Sequence, residues 1–141
     1  MVSQYSIGEM ARAGDCKVQT IRYYEQKGLL PEPGRTQGNQ RVYSQAHYDR
    51  LKFIRHAREL GFSLERIHQI LDLSDDANTP CAMVDQIARE HLREVESKIR
   101  RLQSMRAELQ RMIQECGANK VSECRIISVL ANHELCLARD H

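Results

Sequence analysis

Between Cys81 and Glu115 the chain contains neither glycine nor proline. A stretch of that length in helical form extends roughly 50 Å at 1.5 Å per residue. Leu92, Val95, Ile99, Leu102, Leu109 and Ile113 recur along it at alternating spacings of three and four, with Arg106 interrupting the stripe and Met105 beside it. The resulting apolar seam is narrow and the remaining surface is heavily charged, so the helix cannot build a core of its own. It suits an antiparallel coiled coil with a second copy of the chain. Composition points the same way: aromatic residues are 5% of the chain and tryptophan is absent. A modest core leaves burial to be completed by a partner.

The residues before this helix read as short helices and a hairpin. Ser6 and Glu9 form a capping-box pattern that starts a helix running to about Ala13. Gly14-Asp15 makes a tight turn, and a second helix follows from about Lys17 to Gln26, with Val18, Ile21 and Tyr24 on its inward stripe. Gly28 stands where a left-handed helix terminus is expected. Two short helices about a tight turn make a helix-turn-helix. From Glu32 to Tyr43 the Gly38-Asn39 turn and the β-formers after it predict a two-stranded wing. Ser44 caps a third helix over about 45–60, with Leu51, Ile54 and Leu60 inward, and Ser63 caps a fourth over about 64–73. Ser74 to Pro80 is a polar linker. Beyond Cys116 the spacing predicts a loop, a short helix near Arg125–Leu130 and a polar tail.

The net charge of +2 hides an asymmetry. Residues 1–70 carry 11 Lys/Arg against 7 Asp/Glu, and residues 71–141 carry 10 against 12. The basic excess lies with the helix-turn-helix, where a polyanion would bind. Such a unit presents the first residues of its second helix to base edges and places neighbouring cations and hydroxyls on phosphate. Lys17, Gln19, Thr20, Arg22 and Tyr23 are the candidates on the second helix, with Tyr24 beside them. The wing offers Arg35, Asn39, Arg41 and Tyr43 without an intervening acid. The plainer reading makes the charged residues ordinary surface and Tyr24 and Tyr43 core aromatics.

The segment Val18-Gln19-Thr20-Ile21-Arg22-Tyr23-Tyr24-Glu25, then Gly28-Leu29-Leu30, Arg35 and Gly38-Asn39-Gln40-Arg41-Val42-Tyr43, resembles the signature of the MerR family. Phe53-Ile54-Arg55 and Leu60-Gly61-Phe62-Ser63-Leu64-Glu65-Arg66-Ile67 continue the likeness, which covers residues 5–73 and extends along the long helix to about residue 115. Gln40 departs from it, standing where an aromatic is common. The resemblance implies a winged-helix DNA-binding domain on a dimerising antiparallel coiled coil. It further implies a palindromic operator between overlong-spaced promoter elements, and effector-driven bending and untwisting that lets RNA polymerase engage both.

Five cysteines in a chain with no secretory pattern are read as ligands, redox groups or buried thiols. Cys81 opens the long helix, Cys116 closes it, and Cys124 follows beyond a loop. One chain cannot bring all three together, but in an antiparallel dimer Cys81 of one protomer meets Cys116 and Cys124 of its partner. Two three-thiolate sites result. This resembles the metal-responsive MerR branch, whose members bind zinc, cadmium, lead or mercury; copper(I)-type members share the Cys116–Cys124 loop but carry serine at the position of Cys81. Two thiolates suit a linear monovalent ion and a third suits a soft divalent one. His133, Cys136 and His141 are possible additions, since zinc takes four ligands. Cys16 is read as packed in its turn and His91 as a seam residue.

The expected architecture is all-α with a small β-wing: a winged helix-turn-helix over 1–74, a dimerisation helix over 81–115 and an effector loop, short helix and tail over 116–141. The expected function is a cytoplasmic, homodimeric, metal-responsive activator of an efflux or detoxification promoter, with Cd2+, Zn2+, Pb2+ or Hg2+ as effector and double-stranded DNA and RNA polymerase as partners. A thiol-based sensor of oxidation or aldehydes is the alternative, for which Cys124-Arg125 is the relevant pair. An effector-free DNA-bending protein leaves residues 116–141 without a role. No apolar run approaches a membrane span, and no Gly-rich phosphate loop, His-Glu metal motif or Ser/His/Asp arrangement supports an enzyme.

Overall fold

In a computed structural model, which describes residues 4–116, 121 and 124–136, helix α1 (Ile7–Ala13) begins at the expected cap. The Ser6 hydroxyl accepts the Glu9 amide at 3.1 Å. Helix α2 (Val18–Gln26) follows a four-residue turn. The left-handed residue of that turn is Asp15, at φ 49°, and Gly14 is in the right-handed region. Glycine at 14 answers a packing demand instead: a Cβ there would lie 2.6 Å from Leu51 Cδ2, on a side chain with no exposed surface. Gly28, at φ +76°, is the left-handed residue that ends α2.

The wing is a three-stranded antiparallel sheet. Strand β2 (Gly34–Arg35) pairs with β3 (Arg41–Ser44) as Gly34↔Val42 and Arg35↔Arg41. The third strand, β1 (Gln4–Tyr5), lies on the other side of β3, with Tyr5 opposite Tyr43. Two strands were expected from the hairpin signal. A hairpin carries no information about its second edge, whose unpaired backbone groups the N-terminal residues here satisfy.

Helix α3 (Gln45–Glu59) starts with a full capping box, in which Ser44 Oγ accepts the His47 amide and His47 Nδ1 accepts the Ser44 amide at 3.1 Å. Helix α4 (Leu64–Ser74) is capped by Ser63, which accepts the Arg66 amide at 3.2 Å. Met10, Ile21, Leu29, Leu30, Tyr43, Leu51, Ile54 and Ile67 are the fully buried side chains around which these elements pack. Leu60 is not among them. It is 59% exposed, because α3 ends at Glu59 and Leu60 occupies the cap beyond the inward stripe of Leu51, Ile54 and Ala57.

The chain divides into two compact units, Met1–Ile87 and Ala88–His141. Helix α5 (Cys81–Glu115) begins in the first and runs through the second without interruption, over the range expected. In the second unit α5 is followed by α6 (Arg125–Ala131) and then by a 3-10 turn, His133–Leu135, capped by the Asn132 side chain. Met112 of α5 and Val129 of α6 are both buried. The seam residues Leu92, Ile99, Leu102, Leu109 and Ile113 are instead 47% to 65% exposed. His91 is buried. Among the described residues no helix is long and apolar enough to cross a membrane.

The two glycines of the helix-turn-helix should respond differently to alanine. Gly14→Ala forces Leu51 or the backbone to shift and should cost about 1–3 kcal/mol. Gly28→Ala has room, its nearest neighbour being His68 Nε2 at 3.7 Å, and should lose only about 1 kcal/mol from the left-handed backbone. Urea unfolding midpoints of the two variants measure the difference; a larger loss at Gly28 contradicts the packing account.

Candidate nucleic-acid interface and thiol centre

The inward stripe of α2 is Ile21 and Tyr24, which leaves Gln19, Arg22 and Tyr23 on the outward face at helical spacings of three and four. Gln19 and Arg22 are exposed and Tyr23 is 43% exposed. Thr20 is half-buried. Lys17 is exposed at the N-cap and makes no side-chain capping bond. A cation beside the positive end of a helix is electrostatically unfavourable. The same end is suited to an anion, because backbone amides and the ammonium can act on it together. Lys27 Nζ lies over the Tyr23 ring at 5.6 Å from its centroid.

In the wing, Arg35 and Asn39 are exposed, and Arg41 is half-buried. Asn39 takes the left-handed conformation at φ 61°. Arg35 Nη1 donates to the Asn39 carbonyl at 3.2 Å, and the Thr36 amide donates to the Gln40 carbonyl at 2.9 Å, so the hairpin tip is held by its own backbone.

Tyr24 and Tyr43 belong to the core and not to the presented surface, being 8% and 1% exposed. The Tyr43 hydroxyl donates to the Glu25 carboxylate, and Arg41 Nε lies 3.9 Å from the other oxygen of the same carboxylate. Burial, and then the bonded Glu25, hold the Tyr43 hydroxyl well above the usual phenol range. The contact ties α2 to β3, and hence the reading helix to the wing. Sequence reasoning missed Glu25, although a signal was present: Ile21, Tyr24 and Glu25 share one helical face, and a carboxylate on an inward face requires a donor.

In the second unit Cys116 follows the last turn of α5 and Cys124 caps α6, and their sulfurs are 3.2 Å apart. Both thiols are free and half-buried. The backbone amide of Ile127, then the Cys116 thiol, lowers the Cys124 pKa below its usual value. The bond to Cys124, followed by burial, raises that of Cys116. Thiolates sharing a tetrahedral cation with bonds of about 2.3 Å stand roughly 3.8 Å apart, so this pair needs only a small opening to share one. Two sulfurs form a soft donor set, which fits a thiophilic ion and not a hard one.

The other candidates are placed as follows. Cys81 is exposed at the first position of α5. Cys136 lies against Glu108 and Arg111, and its thiol is raised first by burial and then by the Glu108 charge. His133 and Cys136 both line a cavity of about 280 Å³, walled by Met105, Met112 and Val129. His141 lies outside the described residues. Cys16 packs against the helix-turn-helix core, with its pKa raised by burial. Among the described residues no three His, Cys, Asp or Glu side chains of one chain gather around a point.

Comparison with known proteins bears on both features. The model of the MerR HTH family regulatory proteins matches residues 5–74, and a second, described as MerR, DNA binding, matches residues 48–112. The HTH-type transcriptional regulator ZntR of Escherichia coli K12 is 42% identical over 129 residues, covering 89% of this chain and 92% of that one. Among solved structures, the transcription regulator PbrR691 of Ralstonia metallidurans CH34 in complex with lead(II) superposes with a TM-score of 0.78 at 39% identity, over 89% of this chain and 98% of that one. The transcriptional regulator MerR of Bacillus megaterium MB1 in complex with mercury(II) gives 0.69 at 29% identity, over 90% and 99%. The chain belongs to the MerR family of helix-turn-helix transcriptional regulators.

Proposed function

We propose that this protein is a metal-responsive, DNA-binding transcriptional regulator. As a homodimer in the cytoplasm it activates an efflux or detoxification promoter when a soft divalent cation is captured by Cys116 and Cys124 of one protomer and Cys81 of the other. The observation that carries the reading is the contact of the Cys116 and Cys124 sulfurs at the end of the long helix. Relatives described as complexes with lead(II) and mercury(II) support a soft effector. Cadmium, zinc, lead and mercury all satisfy the donor set.

Each part of the chain has a defined task in this scheme. Lys17, Gln19, Thr20, Arg22 and Tyr23 meet one half-site of a palindromic operator, and Arg35, Asn39 and Arg41 reach the flanking backbone from the wing. The Glu25–Tyr43 bond keeps these two groups at a fixed angle. Tyr24 and Tyr43 support the interface from within. Cys116 and Cys124 define the loop between them, and Cys81 connects that loop to the opposite protomer. When bound, the cation supplies a cross-link between thiolates of two chains. The dimer arrangement that brings Cys81 to its partners' thiols is stabilised by the difference in affinity between arrangements. That arrangement distorts the operator so that RNA polymerase engages both promoter elements. Cys136 and His133, set beside Glu108, stay outside this site.

A thiol-based oxidation or aldehyde sensor is the second reading, favoured by the lowered pKa of Cys124 at the start of α6. Transcription from the protein's own promoter under reducing conditions separates the two. The metal reading expects induction by one or more of the four cations in the absence of peroxide or aldehyde. Cys81→Ser should abolish that induction while leaving operator affinity within about twofold, since the substitution lies outside the reading helix and the wing. Full induction of Cys81→Ser by all four cations sinks the crossed site.

The DNA contacts are separable by salt. Lys17→Ala should weaken binding about equally on all sequences and lower the slope of log K against log salt by about one, as loss of a phosphate contact does. Arg22→Ala should instead cost about 1–3 kcal/mol on the cognate operator and relax preference at one base position. Equal salt slopes for wild type and Lys17→Ala would remove Lys17 from the backbone contacts.

A further inference from the structure

Both cysteines of the thiol pair are flanked by residues that are bonded to each other. Glu115 is the last residue of α5 and precedes Cys116; Arg125 is the first residue of α6 and follows Cys124. Arg125 Nε donates to Glu115 Oε2 at 2.8 Å. Arg111, one turn earlier on α5, places Nη1 3.6 Å from the same oxygen and also donates to Glu108 and to the Leu135 carbonyl. The ion pair thus closes the same segment as the two thiols, one residue further out at each end. Nothing in the described ligand chemistry requires this arrangement, since neither Glu115 nor Arg125 is needed as a donor.

We propose that the Glu115–Arg125 pair is a positioning bracket: it holds Cys116 and Cys124 in contact before a cation arrives, and thereby sets metal affinity without ligating. This rests on the reading of those two cysteines as ligands. Closing a loop costs chain entropy, and a bracket already in place in the metal-free protein removes part of that cost from the binding step. The side chains are 43% and 33% exposed, so solvent screens the pair and its effect is modest. The effect has a diagnostic sign. Acting through space alone, a carboxylate and a guanidinium at similar distances would shift the affinity of the charged site in opposite directions. Neutralising one would then tighten metal binding and neutralising the other would weaken it. A bracket predicts that both substitutions weaken it.

The test is a cadmium(II) titration of the full-length reduced homodimer, in competition with a chromophoric chelator, for wild type, Glu115→Gln, Arg125→Gln and the double variant. Each single variant should bind about twofold to fivefold more weakly, the range expected for one partly exposed pair. The double variant should bind no more weakly than the weaker single, because one interaction is lost in all three. Thiolate-to-cadmium absorption at saturation should be unchanged, since no ligand is removed, and metal-free operator binding should be retained. Tighter or unchanged binding by Glu115→Gln, additive losses in the double variant, or reduced absorption at saturation each overturn the bracket. Cys116→Ser in the same titration separates the two readings. If it loses cadmium while Glu115→Gln does not, the bracket alone fails; if it binds cadmium as wild type does, the thiol site itself fails.

Discussion

A helix that exposes most of its apolar seam sets the terms for everything else in this chain. Leu92, Ile99, Leu102, Leu109 and Ile113 lie on α5 with about half or more of their surface uncovered, and burying a side chain of that size is worth about 1.5–3 kcal/mol. Five such residues from each protomer, paired along a two-fold axis, would supply a substantial driving force for association. An antiparallel pairing also has a consequence for chemistry, since it puts the first turn of each helix beside the last turn of the other. The residues at those two ends are Cys81 and Cys116. In the proposed scheme oligomer and effector site are therefore one design, the site being completed only by the second copy.

The first unit depends on a different kind of constraint. A carboxylate on the inward face of α2 must find donors, and Glu25 finds them on β3, in the Tyr43 hydroxyl and the Arg41 guanidinium. The helix and the hairpin also share the apolar core, through Ile21 and Tyr24 on one side and the Tyr43 ring on the other, but apolar contact is non-directional. The buried polar contact fixes their relative angle, which is the quantity a reading head has to control if helix and wing are to meet DNA together. Gly14 acts on the same geometry from the other side. By having no Cβ it lets the turn between α1 and α2 sit directly on Leu51.

Periodic features were legible in the sequence and reciprocal ones were not. The limits of α5, the caps at Ser6, Ser44 and Ser63 and the left-handed Gly28 each follow from local spacing or backbone preference, which a single segment encodes by itself. The third strand, the Glu25–Tyr43 bond and the packing of α6 under Met112 each require two distant segments to agree, and nothing in either segment alone names its partner. Tyr43 illustrates the limit well. Its residue type suits both a DNA contact and a core, and only the fold, by burying the ring and engaging the hydroxyl, decides. At the thiol centre residue type and spacing pointed to Cys81, Cys116 and Cys124, of which the fold brings Cys116 and Cys124 into contact. The Glu115–Arg125 pair around them was not legible, because flanking charges on a solvated helix look like any others.

The second-chain ligand of the proposed site is demanded by the energetics of switching as well as by ligand count. A ligand shifts an equilibrium only by the difference in its affinity for the two states, however tightly it binds. Cys116 and Cys124 lie in the same unit of one chain and are in contact with each other. A cation held by them alone would be bound about equally well in any arrangement of the two protomers, and could report its presence to nothing outside that unit. A third thiolate contributed from the other chain makes affinity depend on how the protomers are disposed, and so makes their disposition depend on the cation. In the proposed site that thiolate is Cys81, at the start of α5 and directly after the linker, so the one ligand that would discriminate between arrangements stands next in sequence to the helix-turn-helix unit.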